Sequence, residues 1–172
     1  MVFSSEDISL RPVEAEDTFA MYCLENDSSI WLSSGIVQPT SRQSIIKFLS
    51  DTKNDIYKER QLRLAIEKRQ QKQVVGFVDL FNFNPRHLRA EVGIGILNQY
   101  RKFGYAKESL HLLSEYASNV LFLHQLYACV LNNNEVAKNL FEIAGYKEIS
   151  SLKDWYKTKN GFESVVIFQK IL

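Results

Sequence analysis

The chain has 172 residues, enough for one domain at the usual ~100–200 residues per domain and too few for two. Hydrophobic residues make up 45% and charged residues 24%, globular values that exclude a disordered chain, a collagen-like repeat or a coiled-coil rod. The 21 Lys and Arg against 20 Asp and Glu leave a net charge of +1, which argues against nucleic acid or an anionic membrane as the main partner.

No apolar run reaches the roughly 18 residues of a spanning helix. The longest, over residues 120–131, is interrupted by His124 and Gln125. The first seven residues lack the basic and apolar stretches of a secretory leader. Cys23 and Cys129 stand far apart without metal-ligand spacing, so no metal site is expected and both read as buried thiols in a reducing compartment. These features describe one soluble, cytoplasmic domain over 1–172. The charge is unevenly placed, with net −4 over residues 1–60 and net +5 over residues 61–172. Either this is scatter on a solvated surface, or the second part holds an anionic ligand and the first meets a cationic one.

In chain order, Ile8, Leu10 and Val13 alternate as in a strand, with Pro12 suited to an edge. Glu14, Glu16 and Asp17 place acids in the first turn of a helix reaching Glu25. A second helix over 41–51 turns Ile45, Ile46, Phe48 and Leu49 to its apolar side. From Gln61 the period changes to two, and Leu62, Leu64 and Ile66 lead into a basic hairpin tip at 68–72 and a return strand over 74–83. A third strand follows over 89–97. A helix over 105–119 puts Leu110, Leu113, Ala117 and Val120 on one face. Residues 125–131 form a strand, and a helix over 134–144 turns Val136, Ala137, Leu140, Phe141 and Ala144 inward. Gly145 suits the positive φ of a helix C-terminus, and Asn160-Gly161 suits a type I′ turn in a final hairpin. The order βαα-βββ-α-β-α-ββ predicts an α/β (α+β) domain with a mixed sheet and packed helices.

The third strand carries the chemistry. Ala90, Val92, Ile94 and Ile96 form its apolar row, while Glu91, Gly93 and Gly95 share the other face. Interior glycines weaken a strand unless a ligand or another backbone approaches closely. Glu91 is therefore either a titratable group on a groove floor or an exposed edge carboxylate paired with a cation such as Arg89. Beyond this strand, residues 98–106 run through a loop into a helix, the arrangement that presents backbone N–H groups and a helix dipole to phosphate. Arg101 and Lys102 add positive charge there, and neither P-loop nor G-x-G-x-x-G spacing is present.

Arg101-x-x-Gly104-x-Ala106 resembles the [RQ]-x-x-G-x-[GA] pyrophosphate loop of the GNAT family of acetyl-CoA-dependent N-acetyltransferases. The stretch from Asn134 to Gly145-Tyr146, with Ala137, Leu140 and Phe141 at matching positions, is similar to that family's second motif, N-x-x-[AS]-x-x-[LI]-Y-x-x-x-G-[FY]. Residues 85–91 and the hairpin over 154–168 resemble the branch that contains ribosomal-protein N-terminal acetyltransferases and spermidine N-acetyltransferases. The resemblance implies a mostly antiparallel sheet whose strands over 89–97 and 125–131 splay apart, with helices on both faces and acetyl-CoA entering the gap. Ile96, Leu97, Arg101, Lys102, Phe103, Gly104, Tyr105 and Ala106 would hold the pantetheine and pyrophosphate, largely through backbone amides. Asn134 would reach the pantetheine arm, although it also suits a helix N-cap, a role Asn132 or Asn133 could take instead. Lys138 lies one turn further, where it would reach a phosphate.

By the same resemblance Glu91 is the general base toward an amine acceptor, directly or through water. A backbone N–H near Ile96 or Leu97 would stabilise the oxyanion. Phe141 stands where many relatives carry a Tyr that protonates the leaving thiolate. Tyr146 or another hydroxyl substitutes, the thiolate leaves unassisted, or the chain is an acyl-CoA-binding sensor without turnover. The expected partners are acetyl-CoA and a primary amine, either polyamine-like or a protein N-terminus. The acidic first 60 residues, part of the acceptor side by resemblance, favour a cationic acceptor. The aromatic final hairpin is either a homo-oligomer interface or core.

Overall fold

The computed structural model describes residues 3–52 and 55–172; Met1, Val2 and Lys53, used above for the leader and charge readings, lie outside them. The first strands are β1 (Phe3–Ser4) and β2 (Ile8–Pro12), followed by a short 3₁₀ turn at Ala15–Asp17. Four helices come next: α1 (Thr18–Glu25), α2 (Trp31–Ser34), α3 (Arg42–Asp51) and α4 (Ile56–Glu59). Then β3 (Leu62–Lys68), β4 (Gln73–Asn84) and β5 (Arg89–Ile96) form a meander. The chain ends with α5 (Tyr105–Asn119), β6 (Gln125–Leu131), α6 (Glu135–Ile143), β7 (Lys147–Thr158) and β8 (Gly161–Ile171).

One sheet runs in the order β1-β2-β3-β4-β5-β6-β8-β7. Only β5 and β6 pair in parallel, because α5 supplies the crossover that a parallel neighbour requires. Helices cover both faces, as expected. Leu110, Leu113, Ala117 and Phe141 of α5 and α6 pack on Leu64, Val78, Ala90 and Val92 in the larger core. On the opposite face Met21, Leu24 and Ile45 of α1 and α3 pack on Ala65 and Phe77. The apolar row of β5 thus belongs to the α5 side, and the glycine row faces α1.

What approaches those glycines is protein. A Cβ at Gly95 would stand 2.8 Å from Leu24 Cδ2, and one at Gly93 would stand 3.1 Å from Phe81 Cε1. Gly95 lets α1 lie down on the strand.

Several side chains depart from the periodicity. Phe48 is exposed where α3 borders an open cleft, Ile46 is exposed outside that cleft, and only Ile45 of that face is fully buried. Val120 caps α5 and is exposed, its inward place taken by Leu121 and Leu123. Val136 is 83% exposed at the first turn of α6. Cys23 is exposed and Cys129 half-buried, so neither is the buried thiol expected. Gly145 has φ +88° after α6, as its position predicts. In the final hairpin Thr158 pairs with Gly161, which places Lys159 and Asn160 at the corner. Neither has positive φ, so the turn is not type I′. The hairpin aromatics divide: Phe168 is core, whereas Trp155 and Phe162 are exposed.

Candidate active site

β5 and β6 pair only from Arg89↔Gln125 to Glu91↔Tyr127. Beyond that point β5 stays on β4 while β6 stays on β8, and the two strands part. The parting opens a cleft of about 1400 Å³. The Leu97 N–H bonds to the Val75 carbonyl at 2.9 Å, so by alternation along the strand the N–H groups of Ile94 and Ile96 face the gap. Leu97 is therefore unavailable as an amide donor to a ligand, a correction to its expected role, and Ile96 remains.

Glu91 is the last β5 residue paired to β6, and its Oε2 accepts from Asn82 Nδ2 at 2.8 Å. Asn82 sits at a bulge between β4 and β5 with φ +50°, which turns its amide over Glu91. Burial and the adjacent Glu91 carboxylate push the Cys129 thiol up to about 12. Burial, then Glu91, also raises the Tyr127 phenol, and burial, Cys129 and Glu91 raise Tyr156. These neighbours all stay protonated and neutral at pH 7. Glu91, Cys129 and Tyr156 line the cleft together.

Toward the other mouth, Gly104 has φ +88°, open space around its Cα and no side chain to cap α5. The first N–H of the helix to bond back is that of Glu108, to the Gly104 carbonyl. The N–H groups of Tyr105, Ala106 and Lys107 therefore lack helical acceptors, and all three residues line the cleft. Lys102 and Lys107 bring charge to this mouth, and Phe103 is exposed and stacks on Tyr105. This cradle suits a diphosphate.

Several expectations change here. Arg101 lines the cleft, yet its guanidinium is committed within the protein, with Nε on the Ile96 carbonyl at 3.0 Å and Nη2 on Asp27 Oδ2 at 2.5 Å. Asn134 itself caps α6, its Oδ1 accepting from the Ala137 N–H at 3.1 Å, while still lining the cleft. Lys138 bonds Glu135 and the Asn132 carbonyl and lies outside the cleft wall, because its stem reaches back along its own helix. Tyr146 offers no substitute for Phe141. Its hydroxyl is buried beside Ser114, whose own hydroxyl is committed to the Leu110 carbonyl and Lys170, and burial raises its pKa while Ser114 opposes the rise. Phe141 lines the cleft, stacked on Phe168 and edge-on to Tyr146.

Sequence reading missed an ion cluster on the α1 side. Arg63 Nη1 donates to Glu25 at 2.6 Å and its Nε to Asp79 at 2.7 Å. Burial disfavours the Arg63 charge, yet Asp79 and Glu25 hold it well above its ordinary range. With Glu59 and Glu91 also in the wall, this end of the cleft is acidic. These positions lie 38 and 16 residues apart in sequence, with no local spacing to betray them. Among the described residues no group of His, Cys, Asp and Glu is placed to hold a metal ion, and no helix is long and apolar enough to cross a membrane.

The family model for the acetyltransferase (GNAT) domain matches residues 7–147. Spermidine N(1)-acetyltransferase of Escherichia coli strain K12 is 29% identical over 143 residues, covering 83% of this chain and 74% of that protein. An uncharacterized N-acetyltransferase of Bacillus subtilis strain 168 is 22% identical over 160 residues, 93% and 90% of the two chains. The structure of spermidine N-acetyltransferase from Vibrio cholerae in complex with CoA and spermine superposes with a TM-score of 0.85 at 24% identity, covering 97% of this chain and 96% of that one. That last likeness is one of fold. The extent of the family match, from the start of β2 to the start of β7, makes this chain a member of the GNAT acetyltransferase family.

Proposed function

We propose that residues 1–172 act as one N-acetyltransferase domain, moving an acetyl group from acetyl-CoA to a primary amine held beside Glu91. The carrying observation is the parting of β5 and β6 just past Glu91, which leaves the N–H groups of Ile94 and Ile96 turned into the gap. When bound, acetyl-CoA supplies an acyl group activated as a thioester. The N–H groups of Tyr105, Ala106 and Lys107, with Lys102 and Lys107 side chains, hold the diphosphate. Asn134 keeps its Nδ2 donor for the pantetheine arm while Oδ1 caps α6.

An alkylamine with a pKa near ~10 is mostly protonated at neutral pH and needs a base before it can attack. Glu91 accepts that proton, directly or through water, and the acidic wall around it favours a cationic acceptor over a neutral one. The Ile96 N–H, fixed in the strand, meets the negative charge that develops on the thioester oxygen. Phe141 donates no proton. A thiol pKa of ~8.5 lets the thiolate depart without an acid.

The test is release of free CoA thiol from acetyl-CoA in the presence of polyamines, simple diamines and peptides with free N-termini. Amine-dependent release supports the reading. Phe141 also favours a second reading, an acyl-CoA sensor, which wins if acetyl-CoA binds but no amine releases thiol.

A further inference from the structure

We propose that Arg101 is a positioning residue: through its pair with Asp27 its side chain fixes the acceptor end of the cleft, and it does not bind the diphosphate of the cofactor. The proposal rests on the acetyltransferase reading above. Arg101 opens the turn that leads to the N-terminus of α5, where the diphosphate cradle lies. Its planar fork is spent elsewhere. Nε takes the Ile96 carbonyl at 3.0 Å, Nη2 takes Asp27 Oδ2 at 2.5 Å, and Nη1 reaches Ser29 Oγ at 3.4 Å.

Asp27 is in turn the hub of the loop between α1 and α2. Its Oδ1 accepts from the Ser29 N–H at 3.0 Å and from the Ser29 hydroxyl at 2.6 Å. The Asp27 carbonyl accepts from the Ile30 N–H at 3.1 Å, closing the turn. The Ser29 hydroxyl, with Arg101 contributing, holds the Asp27 carboxyl below its usual range, so the pair is charged at neutral pH. Ser29 and Ile30 line the cleft, and Glu25 of the acidic wall lies two residues before Asp27.

The loop thus has one end on the acceptor wall and the other on the turn that carries the cofactor cradle. Further ties keep this loop against α1 and the acceptor wall: the Asp27 N–H bonds the Leu24 carbonyl at 3.1 Å, Asn26 bonds Tyr22 and Thr40, and the Trp31 indole bonds the Glu25 carbonyl. Arg101 also grips the Ile96 carbonyl, so one rigid guanidinium joins the end of β5, the cofactor turn and the acceptor loop. Arg is suited to this because its donors are fixed in one plane. Moving the guanidinium to a phosphate would strand the half-buried Asp27 carboxylate near an incoming anion. Like charges at that range oppose both ligand and loop.

The experiment compares Asp27→Asn, Arg101→Gln, Arg101→Lys and the Asp27→Asn/Arg101→Gln double variant, each first checked for cooperative thermal unfolding. Four quantities are read: the acetyl-CoA dissociation constant, kcat and KM for spermidine or the best acceptor of the amine panel, and the equilibrium affinity for that amine. Asp27→Asn and Arg101→Gln should each raise amine KM and weaken amine binding by about tenfold, the size expected for one lost charge-assisted hydrogen bond. They should leave kcat and the acetyl-CoA dissociation constant within about twofold. Arg101→Lys should recover part of the loss, and the double variant should be no worse than either single one.

The proposal is overturned if Arg101→Gln weakens acetyl-CoA tenfold or more while Asp27→Asn does not, which would make the guanidinium a phosphate ligand. It is equally overturned if Asp27→Asn leaves amine KM unchanged. Failure of the acetyltransferase reading looks different: the unaltered chain binds acetyl-CoA and releases no thiol with any amine.

Discussion

Glu91 owes its position to backbone pairing and its surroundings to neighbours that stay neutral. Asn82 holds one oxygen, while the Cys129 thiol, pushed up to about 12, and the raised phenols of Tyr127 and Tyr156 add no competing negative charge. Glu91→Gln keeps the shape and removes the proposed base. Turnover near neutral pH should fall by roughly 10²–10⁴, with acetyl-CoA affinity unchanged, as read by initial rates across pH and by equilibrium binding. An unchanged rate would return Glu91 to a structural partner of Asn82. Phe141 allows a second test at the same scale. Phe141→Tyr adds one hydroxyl at the cleft wall, and a leaving group of pKa ~8.5 gains little from an acid. Single-turnover acetyl transfer should rise by at most about tenfold. A loss of that size would mean that the hydroxyl is trapped against Phe168 and Tyr146 without a partner.

At the scale of elements, the cradle proposed for the cofactor is the start of α5, and it depends on the left-handed turn at Gly104. A side chain there meets no protein atom within 4 Å, so its effect falls on backbone strain and on the ligand. Acetyl-CoA should raise the melting temperature of the unaltered chain, since only the native state binds it. Gly104→Glu should abolish that rise, while Gly104→Ala, with similar strain and no charge, should keep most of it. Equal shifts in both folded variants would move the diphosphate away from α5. The chemical form of the motif, Arg101-x-x-Gly104-x-Ala106, was legible from residue order alone. The division of labour inside it was not, because the partner of Arg101 is 74 positions away.

Across the whole molecule, charge is segregated along one cleft. Glu25, Glu59, Asp79 and Glu91 stand at one end, with Arg63 among them, and Lys102 and Lys107 stand at the other. Arg63 compensates two carboxylates at once, and it is 28% exposed. Arg63→Met should cost about 3 kcal/mol in denaturant unfolding at pH 7, because Glu25 and Asp79 then face each other unpaired. Adding Glu25→Gln and Asp79→Asn to Arg63→Met should recover most of that loss, because no unpaired carboxylate is then left. No recovery in the triple variant would mean that lost packing, and not charge, sets the cost.

Much of the element order is written in the residues, although the short helices α2 and α4 carry no periodicity long enough to announce them, and Ile46, Phe48, Val120 and Val136 leave their expected faces. The period-two run in β3, the apolar row of β5, the Asn that opens α6 and the Gly that closes it are local signals, set by backbone geometry within a few residues. The turn into α5 and Glu91 are likewise visible in residue order, since two glycines and a carboxylate share one strand face. What those features touch appears only once the chain is packed. Leu24 fills the space above Gly95, Arg101 holds Asp27 in place of a phosphate, Lys138 folds back on Glu135, and Arg63 joins Glu25 to Asp79. Each of these depends on how a side chain meets its surroundings once the chain is packed: long flexible cations go to the nearest oxygen that packing brings within reach, and spacing along the chain carries no record of that distance.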